Sequence, residues 1–229
     1  MSIDLRRRHV FAVLLDIEGT TTPAPFVREV LLPFARANLR SSIEARRETG
    51  EMQLAVRELA AEHAAERGGD RTLPPWHSSH LNETLSSAAD YAEWLMDRGR
   101  TSPGLTRLQG LVWDQGYQAG ELRGHVFEDL PQALYRWRAS GTEIGIYSTA
   151  SELAQHRLFE SAAGGDLTPF ITNYFDMATG LKGDPRSYAR ISEALRMRPA
   201  EVLFLSDLTV ELAAARKSGL QVALSVRPG

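Results

Sequence analysis

From about Val126 to the end of the chain, short apolar runs alternate with segments of helical periodicity. Runs such as Glu143–Tyr147 and Val202–Leu205 have the length and composition of buried strands, and the segments Glu152–Phe159 and Val210–Ser218 have helical spacing. Because two parallel strands need a crossover connection, the alternation predicts the α/β fold class with a doubly wound, mainly parallel sheet. The same pattern predicts three further elements: a strand at Ile171–Phe175, a helix at Arg186–Met197 and a last strand at Gln221–Val226.

One more buried strand is predicted near the start of the chain, at Val10–Leu15. The residues from Phe26 to Gln118 have almost wholly helical periodicity, and Pro33 is expected to kink the first helix of this block. We therefore expect an all-helical cap, residues 24–121, inserted after the first strand of a core that consists of residues 1–23 and 122–229. The cap is expected over the carboxyl edge of the sheet. Its other predicted helices lie around Met52–Leu59 with an end at Gly68-Gly69, at Leu81–Met96 and at Leu105–Tyr117.

The composition narrows the classes of function. With a net charge of −3 over 229 residues, the chain has no excess of basic residues for nucleic-acid binding. It has no cysteine, which excludes disulfides, thiolate nucleophiles and cysteine-ligated zinc. Arg6–Arg8 precede an apolar run, as in a secretory signal, but this run is short and ends at Asp16. No segment approaches the ~20 apolar residues of a membrane span. The sequence predicts a cytoplasmic protein without nucleic-acid or membrane partners.

Two acids follow the first predicted strand. Asp16 comes directly after Leu15, and Glu18 comes two residues later, before the turn residue Gly19. Open α/β sheets bind their ligands at the carboxyl ends of the strands. Buried carboxylates are costly without a partner, and a divalent cation is a favourable one. The two acids can also divide catalysis between a nucleophile and a proton carrier. An acidic strand end without any function is the alternative that this segment alone leaves open.

Polar side chains also follow the later strands. Ser148 and Thr149 come after the second strand, where hydroxyl and backbone N–H groups can bind phosphate, although such residues on their own more often cap a helix. Lys182 follows the third strand, and by itself it is better explained as an exposed loop charge. Asp207 comes after the fourth strand, and Glu211 follows one helical turn later. Together these residues supply the groups needed for metal-assisted phosphoryl transfer.

A set of short motifs extends along nearly the whole chain and is thinnest from about Ser41 to Leu105. The motifs are Asp16–Pro23, Phe26-Val27, Leu32–Ala35, Leu108–Gly110 with Trp113, Tyr147-Ser148 with Ser151, Lys182 with Ser187-Tyr188, Phe204–Asp207 and Val226–Gly229. They resemble those of the haloacid-dehalogenase superfamily of aspartate-nucleophile phosphatases, and most of all its enolase-phosphatase (acireductone synthase) family of methionine salvage. Most phosphatases of the superfamily have Asp at the position of Glu18, whereas this family has Glu. Thr149 and Ala150 depart from the family, which often has Ser and Gly there.

The resemblance implies a Rossmann-like core with a catalytic and a metal site. Asp16 is the expected nucleophile, which forms an aspartyl-phosphate, and the Glu18 side chain is the expected proton carrier. One Mg²⁺ per chain is expected on the Asp16 carboxylate, the Glu18 backbone carbonyl and Asp207. Glu211 is expected to orient Asp207 or a metal-bound water, and an exposed charge on the helix surface is the alternative.

The resemblance also implies the substrate. Ser148, the Thr149 amide and Lys182 are expected to hold the phosphoryl oxygens of a small phosphorylated diketone, 2,3-diketo-5-methylthiopentyl-1-phosphate. This substrate would be enolised and then dephosphorylated to the acireductone, a dihydroxy-keto-methylthiopentene, by a monomer. Two alternatives stay open. One is a Mg-dependent phosphatase for a different small phosphate ester, and the other is a non-catalytic member that only binds phosphorylated ligands.

Overall fold

The computed structural model describes residues 5–66 and 70–227. The chain divides into two compact units, one formed by Met1–Val27 with Arg123–Gly229 and the other by Arg28–Leu122. The interpretation of the second unit as a cap stays a prediction. No helix among the described residues is long and apolar enough to cross a membrane. Two features of the sequence lie outside the described residues: the predicted helix end at Gly68-Gly69 and the motif residues Pro228-Gly229.

The first unit contains all the strands of the described chain, and the helices are shared between the two units. The strands are β1 (Ala12–Leu15), β2 (Glu143–Tyr147), β3 (Asn173–Phe175), β4 (Val202–Ser206) and β5 (Gln221–Leu224). The α-helices are α1 (Leu32–Arg46), α2 (Gly50–Ala65), α3 (Leu81–Asp97), α4 (Pro103–Gln118), α5 (Leu130–Ala139), α6 (Glu152–Glu160), α7 (Pro185–Ala194) and α8 (Thr209–Lys217).

The strands form one parallel five-stranded sheet in the order β3-β2-β1-β4-β5. Strand β1 is central, and its Leu15 pairs with Ile146 of β2 and Leu205 of β4. All four residues of β1 are buried, which explains why the sequence there is an unbroken apolar run. On one face of the sheet, Leu14 and Phe204 belong to a core cluster that also includes residues of α7 and α8. The predicted α/β fold with a parallel sheet is therefore confirmed.

The second unit consists of α1 to α4, which pack closely through small residues. A Cβ atom on Gly104 of α4 would lie 2.8 Å from the backbone nitrogen of Leu59 in α2, so only glycine allows this approach. The indole N–H of Trp113 donates to the Leu31 carbonyl at 2.7 Å and joins α4 to the segment before α1. That segment is a π-helix, Phe26–Leu31, and the chain becomes α-helical at Leu32. Pro33 thus lies directly after the change from π-helix to α-helix within one unbroken helical segment, residues 24–46, and the kink expected there stays a prediction.

Candidate active site

Three strands place polar side chains at the carboxyl edge of the sheet. Asp16 follows the central strand β1, and its N–H donates to the Leu205 carbonyl at 3.0 Å. Asp207 comes directly after β4, and Ser148 comes directly after β2. Because β1 pairs in parallel with both β2 and β4, the three residues lie at the same edge of the sheet. The structure therefore places two predicted carboxylates and the predicted hydroxyl on neighbouring strand ends.

Asp16, Lys182 and Glu211 form a buried cluster of charges. Lys182 Nζ contacts Asp16 Oδ1 and lies 2.8 Å from Glu211 Oε2. The side chains of Asp16, Lys182 and Glu211 are only 6%, 9% and 9% exposed. Two of the alternatives that the sequence left open are therefore wrong. Lys182 is not an exposed loop charge, and Glu211 is not a charge on the helix surface.

The environment of Asp16 changes its acidity. Burial raises the pKa of Asp16 from 3.8 to about 6, Lys182 acts against this rise, and the negative charge of Glu211 adds to it. The carboxyl group is therefore mainly ionised at pH 7, as a nucleophile must be. Two carboxylates share one ammonium group in this cluster, so the cluster keeps a net negative charge. Such a buried group is expected to favour a cation next to it.

Glu211 is also held by Ser206, at the same carboxylate oxygen that contacts Lys182. The Ser206 hydroxyl donates to Glu211 Oε2 at 2.8 Å and accepts a hydrogen bond from the Leu208 N–H at 3.1 Å. In the described part of the chain, the contacts of Glu211 are thus with Lys182 and Ser206 and not with Asp207 itself. The geometry supports a role in holding Lys182, and only through Ser206 does Glu211 reach the neighbourhood of Asp207.

Three buried hydroxyl groups donate hydrogen bonds to the backbone of residues 180–182, which includes Lys182. They are those of Tyr188, Tyr147 and Ser187, which donate to the carbonyls of Lys182 (2.7 Å), Gly180 (2.9 Å) and Leu181 (2.8 Å). None of these three residues was predicted to belong to the site. Their only signal was their presence in the quoted motifs, because an aromatic residue in a strand or on a helix is ordinarily core.

The Glu18–Gly19 turn follows Asp16 and packs against Asp207. Gly19 has a φ of +73°, and a Cβ atom there would lie 2.3 Å from Asp207 Oδ2. Both the backbone conformation and the close approach therefore require glycine. The N–H groups of the next three residues all point to the Ile17 carbonyl, at 2.9–3.2 Å. Glu18 is half-buried at the start of this turn, two residues from Asp16.

The residues at the strand ends fit a hard divalent cation. Asp207 Oδ1 is buried and has no hydrogen-bond partner among the described residues, which is costly unless another ligand binds it. Asp16 is a second carboxylate at this edge of the sheet, and the predicted third ligand, the Glu18 carbonyl, is an oxygen of the kind that Mg²⁺ accepts. No group of three or more His, Cys, Asp or Glu side chains that could hold a metal is found among the described residues. The expected site is accordingly made of two carboxylates, a backbone carbonyl and water.

Ser148 does not cap the helix that follows it, because another residue does. The N-cap of α6 is Ser151, whose hydroxyl accepts from the Ala154 N–H at 3.4 Å. Ser148 is buried, and its hydroxyl accepts from the Ala150 N–H at 3.2 Å. Thr149 between them is exposed. The capping alternative left open by the sequence therefore applies to Ser151, and Ser148 and Thr149 stay at the strand end as candidate phosphate ligands.

The chain is similar in sequence to known hydrolases. The family model of haloacid dehalogenase-like hydrolases matches residues 11–219. The chain is 42% identical over 220 residues to the "Enolase-phosphatase E1" of Synechococcus elongatus, with 96% of this chain and 90% of the relative covered. It is 38% identical to the "Enolase-phosphatase E1" of Drosophila melanogaster, with 95% of this chain and 83% of the relative covered.

The fold is similar to that of solved structures. The UTR4 protein of Saccharomyces cerevisiae matches with a TM-score of 0.67 and 28% identity, covering 96% of this chain and 93% of that one. CbbY of Rhodobacter sphaeroides matches with a TM-score of 0.54 and 15% identity, and the match covers 93% of this chain and 84% of that one. At this identity the likeness concerns the fold alone. The sequence matches, which extend over nearly the whole chain, show that it belongs to the haloacid dehalogenase-like hydrolases and, within them, to the enolase-phosphatase E1 family.

Proposed function

We propose that the chain is a bifunctional enolase-phosphatase of methionine salvage. It converts 2,3-diketo-5-methylthiopentyl-1-phosphate, through its enol phosphate, to the acireductone and phosphate. The observation that carries the proposal is the buried contact of Asp16 with Lys182 at the end of the central strand, beside Asp207. The identity of about 40% with relatives named enolase-phosphatase supports the choice of substrate.

In the phosphatase step, Asp16 is the nucleophile. Its carboxylate attacks phosphorus, the bond from phosphorus to the enol oxygen breaks, and an aspartyl-phosphate forms. Glu18 donates a proton to the leaving oxygen. A water molecule then attacks phosphorus, Glu18 takes a proton from that water, and phosphate leaves while the Asp16 carboxylate is regenerated. Glu18 suits both proton transfers because it is half-buried and only two residues from the nucleophile.

Lys182 allows an anionic nucleophile to approach an anionic phosphate. In its contact with Asp16 it already lies where the two negative charges meet, so it lowers their repulsion without further rearrangement. Glu211 keeps Lys182 in place at 2.8 Å. Ser148 and the backbone amide of Thr149, from the neighbouring strand end, hold other phosphoryl oxygens. These residues all belong to one unit of one chain, which is consistent with activity as a monomer.

The metal that we propose is one Mg²⁺ per chain, held by the carboxylates of Asp16 and Asp207 and by the Glu18 carbonyl. When bound, it supplies positive charge beside the phosphoryl group and polarises a substrate carbonyl, which acidifies the adjacent C–H for enolisation. The unpartnered oxygen of Asp207 supports this assignment, since the described residues offer it no donor.

Replacing the nucleophile tests the phosphatase step. The variant Asp16→Asn is expected to release no phosphate from the diketo phosphate or from an aryl phosphate, with an unchanged circular dichroism spectrum. The matched control is Asp166→Asn, because Asp166 is exposed and only caps its own turn through Thr168. This control should keep full activity. Near-normal turnover by Asp16→Asn would refute the assignment of the nucleophile.

A further inference from the structure

The chain that leaves β5 contacts the Glu18–Gly19 turn. The Arg227 Nε–H donates to the Thr20 carbonyl at 3.0 Å, over a separation of 207 residues. The Ser225 hydroxyl lies 3.5 Å from the Gly19 carbonyl oxygen. Two successive carbonyl groups of the turn therefore face donors from the C-terminal segment. The Arg227 bond is the stronger of the two, because its donor is charged and its distance is shorter.

Arg227 is itself held by a second segment, the one that precedes α5. Its Nη1 donates to both carboxylate oxygens of Asp129, at 2.8 and 2.9 Å. Its guanidinium carbon lies 4.4 Å from the centroid of the Phe127 ring, within the range of a cation–π contact. The Phe127 N–H donates to the Thr21 carbonyl at 3.0 Å. We call the group of Arg227, Asp129 and Phe127 the Arg227 clasp.

The Arg227 clasp binds two carbonyl groups of the turn, those of Thr20 and Thr21. The N–H groups of Thr20, Thr21 and Thr22 are all used inside the turn, on the Ile17 carbonyl. The carbonyls of Thr20 and Thr21 instead bind the clasp. The turn is thus fixed from within by its N–H groups and from outside through the Thr20 and Thr21 carbonyls.

We propose that Arg227 is a positioning residue that holds the Glu18–Gly19 turn at the site. Thr20 is only two residues from Glu18, and Gly19 packs against the Asp207 carboxylate. A displacement of the turn therefore moves Glu18 and disturbs Asp207 together. Since a misplacement of about 1 Å at a reacting group can cost about 10²-fold in rate, the clasp controls proton transfer. This inference rests on the proposed role of Glu18 as the proton carrier.

The first test compares two leaving groups in the variant Arg227→Met. Methionine keeps an apolar stem beside Phe127 but removes every donor. An alkyl phosphate needs a proton on its leaving oxygen, whereas 4-nitrophenolate leaves without one. We expect kcat/KM to fall about tenfold further for the alkyl phosphate than for 4-nitrophenyl phosphate, since the loss of a general acid costs about 10²–10⁴-fold. The variant Glu18→Gln should show the same pattern to a larger degree.

The matched control is Arg198→Met. Arg198 also makes a multiple ion pair, with Glu201 at 2.6 and 3.0 Å, but it precedes β4 and so lies at the opposite end of that strand from Asp207. This control should leave the ratio of the two kcat/KM values unchanged. A ratio that Arg227→Met also leaves unchanged would overturn the positioning role, because a merely structural defect lowers both values equally.

The second test does not depend on activity. Hydrogen exchange of the amides of residues 20–22 in the metal-free protein should become faster in Arg227→Met and stay unchanged in Arg198→Met. Equal exchange in the wild type and Arg227→Met would overturn the clasp. If Arg227→Met does not fold, Asp129→Asn serves in both tests, because it weakens the ion pair that holds the Arg227 guanidinium beside Thr20 and should give a smaller effect in the same direction. A wild-type protein that releases no phosphate from the diketo phosphate refutes the proposed function, and the exchange experiment still tests the clasp.

Discussion

Replacing Asp16 by Asn should make the metal-free protein more stable at pH 7 although it abolishes phosphate release. Burial raises the pKa of Asp16 from 3.8 to about 6. The folded protein then binds this proton more tightly than the unfolded chain, so the ionised carboxylate opposes folding. At roughly 1.4 kcal/mol per pKa unit, the difference corresponds to about 3 kcal/mol at pH 7. Asn resembles the neutral form of Asp in shape and charge, so it removes this cost.

The destabilisation by the ionised Asp16 carboxylate depends on pH and is nearly absent below the pKa of the unfolded chain. Since Asp16 ionises in the unfolded chain near pH 4 and in the folded protein near pH 6, its cost appears between these values and is complete above them. Urea unfolding of both proteins with EDTA measures the free energy of unfolding at pH 4 and pH 7. We expect Asp16→Asn to exceed the wild type by about 3 kcal/mol at pH 7 and by only about 0.5 kcal/mol at pH 4.

The control for this measurement is Asp114→Asn in the helical unit. Asp114 is equally buried but accepts hydrogen bonds from Arg46 and Gln118, both at 2.9 Å. Removing its charge weakens the ion pair with Arg46 and should cost about 1–3 kcal/mol. If Asp16→Asn lost stability at pH 7 as this control does, Asp16 would be a stabilising partner of Lys182, and the reasoning from its raised pKa would be refuted.

Three further outcomes are expected. Gly19→Ala should lower kcat at least about tenfold, because the new Cβ displaces the Asp207 carboxylate, whereas Gly120→Ala, with a similar φ of +74° and open space around it, should cost only about 1 kcal/mol of stability. Equal kcat in both variants would contradict this. Glu211→Gln should lower kcat about tenfold by weakening the hold on Lys182, and wild-type kcat would argue against that role. The melting temperature of the wild type should rise when Mg²⁺ is added and fall back with EDTA. A melting temperature that does not change with Mg²⁺ would contradict a metal site.

The fold could be predicted from the sequence because apolar runs and helical spacing alternate so regularly. The residues at which the strands and helices begin and end could not be predicted in the same way. Ile171 was expected in a strand but follows a 3₁₀ helix, and its N–H donates to the Thr168 carbonyl at 3.0 Å. The helix predicted to Met197 ends at Ala194, because Arg196 adopts a φ of +56°. These ends depend on local turns, which the spacing of apolar residues does not reveal.

The position of the candidate site was predictable for a different reason. Strands that run in parallel end at one edge, so residues such as Asp16 and Asp207 had to lie near each other once the sheet was parallel. The partners of these residues were not predictable. The contact of Lys182 with Glu211 depends on how a loop packs against α8, and the bond from Arg227 to Thr20 joins segments more than 200 residues apart. The roles of the individual residues stay predictions until variants are assayed.

The most direct test of the proposed function is an anaerobic ultraviolet time course of the synthetic diketo phosphate with the protein and Mg²⁺, with phosphate assayed in parallel. We predict an enol absorbance that rises before or together with phosphate and that disappears when the metal is chelated. Phosphate release without an enol would contradict the enolase half of the function and indicate a plain phosphatase. No reaction with this substrate, while an aryl phosphate is still hydrolysed, would contradict the assignment to methionine salvage.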